Sequence, residues 1–185
     1  FGDEQTSDSV LADSKNIGIR KGNSGVHRTD GLLHWEVYVN AEKLPMSNYV
    51  VKDTITGDQT LMESTIKVKD LTDNKDVTSQ VRRKIQETAT TYNQDGKTYT
   101  SPAKLLIIHL PDTDHQYYIS YGVKLGPVGY TSDKNHYIDY ADLYQGNDKK
   151  GSATSDYWHW QSKLEKDGVV DNDDNSLVNW TIDVN

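Results

Sequence analysis

The sequence has no cysteine, so neither a disulfide nor thiol chemistry is open to it. It has one phenylalanine and four prolines against twelve tyrosines. No apolar run approaches the length of a membrane span, so no membrane insertion of this segment is expected. No signal-peptide pattern is present either; an exported chain would carry its targeting segments outside this stretch. Basic residues are outnumbered 20 to 28, and the net charge of −8 argues against nucleic acid as a partner. Gly-x-Ser-x-Gly, P-loop and dinucleotide motifs are all missing, so no cofactor is expected. The six histidines stand at 27, 34, 109, 115, 136 and 159, and none forms a ligand pair at helical or strand spacing. No metal site is expected from them.

What is present is short alternating runs of Thr, Val, Ile and Tyr, which favour strands. The plainest is Leu32 to Asn40, where Trp35, Val37 and Val39 alternate with Glu36 and Tyr38. It returns near the end as Leu177 to Asn185, with Trp180, Ile182 and Val184 in the same places. Lys21 lies fourteen residues before Trp35, and Lys166 lies fourteen before Trp180. The apolar residue two before each lysine also recurs, as Ile19 and Leu164. This reads as one whole unit of a tandem array followed by the first strands of the next. Residues 1–16 are then a linker or leader, 17–163 the domain, and 164–185 the start of a following repeat, with neighbouring repeats of the same chain as partners.

Along the domain, strands are expected at Ile17 to Lys21, Leu32 to Asn40, Tyr49 to Ile55, Ser64 to Lys69, Leu105 to Leu110, Gln116 to Leu125 and Tyr137 to Tyr144. A last strand runs from Tyr157 to Lys163. Val77, Val81 and Ile85 recur every four residues behind Asp76 or Thr78 as an N-cap, which predicts one short helix within 76–88. Tyr92 to Ser101 reads as a polar loop or hairpin, and Gln145 to Ser155 as a loop. Eight or nine short strands with one helix make an all-β, immunoglobulin-like sandwich with room for a proper core.

Three charges stand on apolar faces. Lys21 shares a face with Ile17 and Ile19, Asp53 with Val51 and Ile55, and Asp139 with Tyr137, Ala141 and Leu143. Three readings are open: strand ends that reach solvent, an amine and two carboxyls buried together and set up to react, or a buried ion triad without a covalent bond. Burial disfavours the charged forms, so such groups pair or neutralise. A neutral amine beside a neutral carboxyl is arranged for nucleophilic attack, with the second carboxyl as proton carrier.

At these residues the chain resembles the collagen-adhesin (MSCRAMM) type of surface domain from Gram-positive cell walls. The resemblance rests on Lys21-Gly22, Trp35 to Asn40, Val51-Lys52-Asp53 and Gly57-Asp58-Gln59-Thr60-Leu61, then Ser64-Thr65-Ile66-Lys67-Val68, Tyr117-Tyr118-Ile119-Ser120-Tyr121 and Tyr137-Ile138-Asp139-Tyr140-Ala141. It covers roughly residues 17–162. It implies a variant immunoglobulin fold with an autocatalytic isopeptide bond: Lys21 as nucleophile, Asp53 as proton shuttle and position 139 as acceptor. The usual acceptor is asparagine. Here it is Asp139, which would release water instead of ammonia; Asn135 is four residues off register. The resemblance also implies a secreted, wall-anchored adhesin or stalk that meets a host matrix protein or glycan. Lack of cysteine is common in exported proteins of such bacteria.

Two other function classes stay open. Asp53 and Asp139 would suit a carbohydrate-active sandwich enzyme as a carboxylate pair, provided they line an open cleft without a lysine between them. A spacer without ligand is the other. Trp158 and Trp160 share a strand face and are either core or contact residues, or an exposed ligand platform. Asp171 to Asn175 resembles a calcium loop but lacks the glycine and terminal glutamate of an EF-hand, so it reads as a solvated loop.

Overall fold

A computed structural model describes residues 16–126, 135–159, 164–170 and 178–184. The strands are β1 (Ile19–Val26), β2 (Leu33–Val39), β3 (Tyr49–Thr56), β4 (Gln59–Asp70), β5 (Lys75–Asp76) and β6 (Arg82–Gln94), continuing as β7 (Lys97–His109), β8 (Tyr117–Leu125), β9 (His136–Gln145) and β10 (Asp148–Trp158). A separate hairpin comprises β11 (Leu164–Val170) and β12 (Val178–Val184). Five strands form one antiparallel sheet in the order β1-β2-β8-β4-β5, and five form a second in the order β10-β9-β3-β7-β6.

Alternation decides which side chains meet between the sheets. Leu33, Trp35, Val37 and Val39 of β2 point inward, as do Tyr117, Ile119, Tyr121 and Val123 of β8. Across from them lie Val51 and Ile55 of β3, Leu106 and Ile108 of β7, and Ala141 and Leu143 of β9. Together these residues form one core, so the fold is an all-β sandwich. The polar motif residues tie its corners. The Trp35 indole Nε1–H donates to Gln59 Oε1 at 2.7 Å, inside the core. Asn40 ends β2 with a positive φ of 64°, and its side chain bonds Leu44 N–H and O and the carbonyl of His115.

The expected helix within 76–88 is not formed. Asp76 does cap the N–H of Thr78 (2.9 Å), and Val81 N–H reaches Val77 O (3.2 Å), but the coil stops after that single turn. From Arg82 the chain is extended and pairs with β7 along its whole length. A spacing of four is even, so Val81 and Ile85 also share one face of a strand, and both pack against the core. Of the two readings of 92–101, the hairpin is the one formed, turning at Asp95 and Gly96, both at positive φ. The expected loop at 145–155 is instead the turn at Gly146 and most of β10. β10 is an edge strand with an exposed, mostly polar face and a half-buried face of mostly small residues (Gly151, Ala153, Ser155), so no apolar alternation marks it. The strand expected over 157–163 is the end of β10; residues 160–163, like the acidic loop 171–175, lie outside the described residues.

The β11–β12 hairpin repeats the pairing of β1 with β2. Leu164 faces Val184 as Ile19 faces Val39, Lys166 faces Ile182 as Lys21 faces Val37, and Gly168 faces Trp180 as Asn23 faces Trp35.

Truncating Trp35 to Ala should cost about 3–5 kcal/mol, as a large buried aromatic usually does. Gln59→Ala should cost about 1–3 kcal/mol by leaving a buried N–H unpaired. Urea unfolding of both variants measures this; losses well below these ranges would mean that the corner is not part of the cooperative core.

Candidate functional site

The two sheets meet around one ammonium. Lys21 enters from edge strand β1, Asp53 from β3 at the centre of the opposite sheet, and Asp139 from β9 beside it. Each stands at an inward position for the reason that its apolar neighbours do, the two-residue period of a strand. The side chain of Lys21 is fully buried, as is that of Asp139, and Asp53 is 1% exposed. Lys21 Nζ donates to Asp53 Oδ2 at 2.7 Å and to the Tyr121 hydroxyl at 3.2 Å. It lies 3.7 Å from Asp139 Oδ2. Tyr121 passes its own O–H to Asp139 Oδ2 at 2.7 Å, and the backbone N–H of Tyr140 donates to Asp139 Oδ1 at 2.8 Å. The rings of Trp35 and Tyr121 lie 5.5 and 5.3 Å from the ammonium. Asp53 Oδ1 is buried without a hydrogen-bond partner.

One cation faces two carboxyls here, so full ionisation would leave an uncompensated negative charge in the core. Burial, and then the adjacent charge of Asp53, hold the Asp139 carboxyl well above the usual carboxylate range; Lys21 opposes this but does not overcome it. Burial and the same two carboxyls push the Tyr121 hydroxyl up as well, so it stays a donor. The arrangement is a primary amine within reach of a protonated carboxyl, with a carboxylate bonded to the amine. That is a constellation for acyl transfer to nitrogen. Of the readings of the three charges, solvated strand ends are not realised: the three groups are buried together.

Tyr121 was not among the residues that sequence singled out. Its signal was available: an inward tyrosine in the middle of an apolar strand face must find a partner for its hydroxyl. The open carboxylate cleft of a glycosidase is absent, because Asp53 and Asp139 are buried with Lys21 bonded between them. Trp158 is not a core residue: it is 39% exposed and stacks on His136 at 4.1 Å. Trp160 lies outside the described residues.

A sequence model of the family described as "Collagen binding domain" matches residues 16–151. The chain belongs to that family. Membership supports a surface-adhesin role. Among solved structures, the chain is similar to the collagen-binding subdomain of the Enterococcus faecalis surface protein ACE, at 14% identity and a TM-score of 0.48, over 80% of this chain and 99% of that one. It is similar to the collagen-binding domain from a Staphylococcus aureus adhesin, at 13% identity and a TM-score of 0.41, over 78% and 96%. The T6 backbone pilin of serotype M6 Streptococcus pyogenes aligns at 10% identity and a TM-score of 0.45, over 84% of this chain and 38% of that one. No curated protein matches the sequence.

Within this collagen-binding-type domain a second charged pair braces the far end of the first sheet. His115 Nδ1 lies 2.6 Å from Asp70 Oδ2. The hydrogen bond to Asp70 raises the His115 pKa above the ordinary histidine value, against burial. Burial acts to raise Asp70, but the bond to His115 and the backbone N–H of Asp73 hold it below the usual carboxylate range. A raised histidine stabilises the fold at low pH and loses its effect as pH climbs through its folded value; a lowered aspartate loses its effect as pH falls. The pair therefore acts between those limits. His115→Ala should lower the melting temperature more at about pH 6 than at about pH 9, as calorimetry at the two pH values would measure. An equal loss at both would assign the effect to packing.

Proposed function

We propose that this domain is a secreted, cell-wall-anchored adhesin module of a Gram-positive surface, and that Lys21 and Asp139 become joined by an isopeptide bond. The observation that carries the bond is the buried contact of Lys21 with Asp53 and Asp139. In the reaction, Lys21 gives a proton to Asp53, and the free amine attacks the carbonyl carbon of protonated Asp139. The oxygen that accepts from the Tyr140 N–H takes up the developing negative charge, as an oxyanion hole does. A C–N bond forms, the Asp139 C–OH bond breaks, and the hydroxyl leaves as water. Its second hydrogen and the proton left on Asp53 both come from the ammonium, so Asp53 ends neutral beside the new amide. An ion pair in the core is thereby replaced by neutral groups. Tyr121 positions Asp139 and keeps its carboxyl directed at the amine.

Such a bond would link the first strand of one sheet to β9 of the other and close most of the domain into a loop. A disulfide around so long a loop contributes about 5 kcal/mol by chain-entropy reasoning, and the isopeptide is comparable in kind. A tie between the two ends suits a protein under tension, because force would bypass the strands between them. The ligand that the family description supports is collagen or another matrix protein, with a host glycan as the less supported class. Residues 164–185 are read as the first hairpin of a following unit, which the shared register of Lys21 with Val37 and Lys166 with Ile182 supports.

The intact chain should weigh one water less than its sequence mass. Lys21→Ala and Asp53→Ala should each weigh the full mass of their own sequence and melt at a lower temperature. Tyr121→Phe should slow bond formation while leaving the protein folded. A wild-type mass equal to the sequence mass would reduce the cluster to an ion network. Binding of the cross-linked domain to immobilised collagen, followed by surface plasmon resonance, tests the ligand; no response to collagen or to other matrix proteins would leave the spacer reading in its place.

A further inference from the structure

The β1–β2 hairpin carries a polar cluster that the buried site does not use. The imidazoles of His27 and His34 stack with centroids 3.9 Å apart and planes 15° apart. His34 Nε2 lies 2.7 Å from Asp30 Oδ2, and His27 Nε2 lies 2.8 Å from Ser24 Oγ. One nitrogen of each ring and one oxygen of Asp30 lie within 4.8 Å of one another. The turn that holds them closes on itself: Gly31 N–H donates to His27 O at 2.8 Å, His27 N–H to Leu32 O at 2.9 Å, and Leu32 N–H to Asp30 Oδ1 at 2.9 Å. His34 sits on β2 opposite Gly122, where even a Cβ would come within 3.3 Å of its ring. The same Cβ would come still closer to Leu32, at 2.9 Å, so the glycine leaves room for both side chains.

Two imidazoles and one carboxylate form the donor set of borderline divalent ions such as Zn²⁺, and not of Ca²⁺ or Mg²⁺, which take oxygen. The hydrogen that links His34 to Asp30 occupies the place such an ion would take. At the matching interval in the β11–β12 hairpin, the lysine, the tryptophan and the apolar residues recur, but Asn172, Asn175 and Asn179 stand where His27, Asp30 and His34 do. The register of the two hairpins is the same from Ile19 and Leu164 to Asn23 and Gly168; nearer the turn a bulge sets Val26 opposite Leu33, whereas Val170 lies opposite Val178. The other histidine–aspartate cluster is held more tightly, because Asp70 is buried and its Oδ1 accepts from two N–H groups, those of Thr72 and Asp73.

We propose that His27, Asp30 and His34 bind a Zn²⁺-class ion at the exposed rim of the hairpin, with three protein ligands and the remaining coordination open to solvent. The ion displaces the hydrogen between His34 and Asp30, and the stacked rings turn so that one nitrogen of each meets it.

Titration calorimetry of the whole chain with ZnCl₂ at about pH 7.5, after chelator treatment, tests this. One ion per chain is expected. His27→Gln, His34→Gln and Asp30→Asn should each weaken binding by about tenfold or more, the scale of losing a metal partner, while His115→Gln leaves it unchanged. Imidazole NMR signals of His27 and His34 should shift on addition of the ion in wild type, and this readout holds if a variant is destabilised. Absence of binding, or binding that survives the three changes or is lost with His115→Gln, would overturn the proposal.

Discussion

The sandwich is built around a charge that it must neutralise. Among the described residues, Lys21 is the one buried basic side chain, and two buried carboxyls face it from the other sheet. Removing one partner of such a group leaves the other uncompensated, at a cost of about 3–5 kcal/mol. The strands are therefore constrained in register and in their distance across the core. Asp53 must remain at the centre of its sheet, between β7 and β9, and Lys21 must reach it from an edge. Trp35 and Tyr121 close the site on the β2–β8 side, and Gln59 holds Trp35 by its indole N–H.

The presence of aspartate at position 139 changes the character of this site. An asparagine there would leave one cation and one anion, a balanced pair. Aspartate adds a second acid, and burial beside Asp53 makes it the group that keeps its proton. The charge balance of the core and the electrophilicity that acyl transfer requires thus have the same origin. In the proposed reaction the leaving group is water, and no buried ion pair remains.

Polar chemistry outside the core is placed by turns and edges. The β1–β2 turn gathers His27, Asp30 and His34, and the end of β4 gathers Asp70 with His115. β10 shields one edge with residues that are mostly polar, and Asn23 of β1 bonds Ser155 and Asp156 across to it. These contacts hold the edge of the first sheet against the edge of the second, which is where Lys21 must be kept for its nitrogen to lie near Asp139.

The sequence alone determined the strand faces, because a period of two is local: it placed Lys21, Asp53 and Asp139 among apolar residues, and their neighbours are buried as that pattern requires. It also carried the family, in short motifs that follow one another along the chain from Lys21 to Ala141. It misplaced a helix at Val77, Val81 and Ile85, because a spacing of four satisfies both periods and only pairing with β7 chooses between them. It passed over most of β10, where one face is mostly polar and the other mostly small, so that no apolar period shows, and the pairing with β9 makes it a strand. Only the tertiary structure decided which side chains meet: Tyr121 with Asp139, and His27 with His34. Contacts across sheets and turns depend on distance in space, which spacing along the chain does not contain.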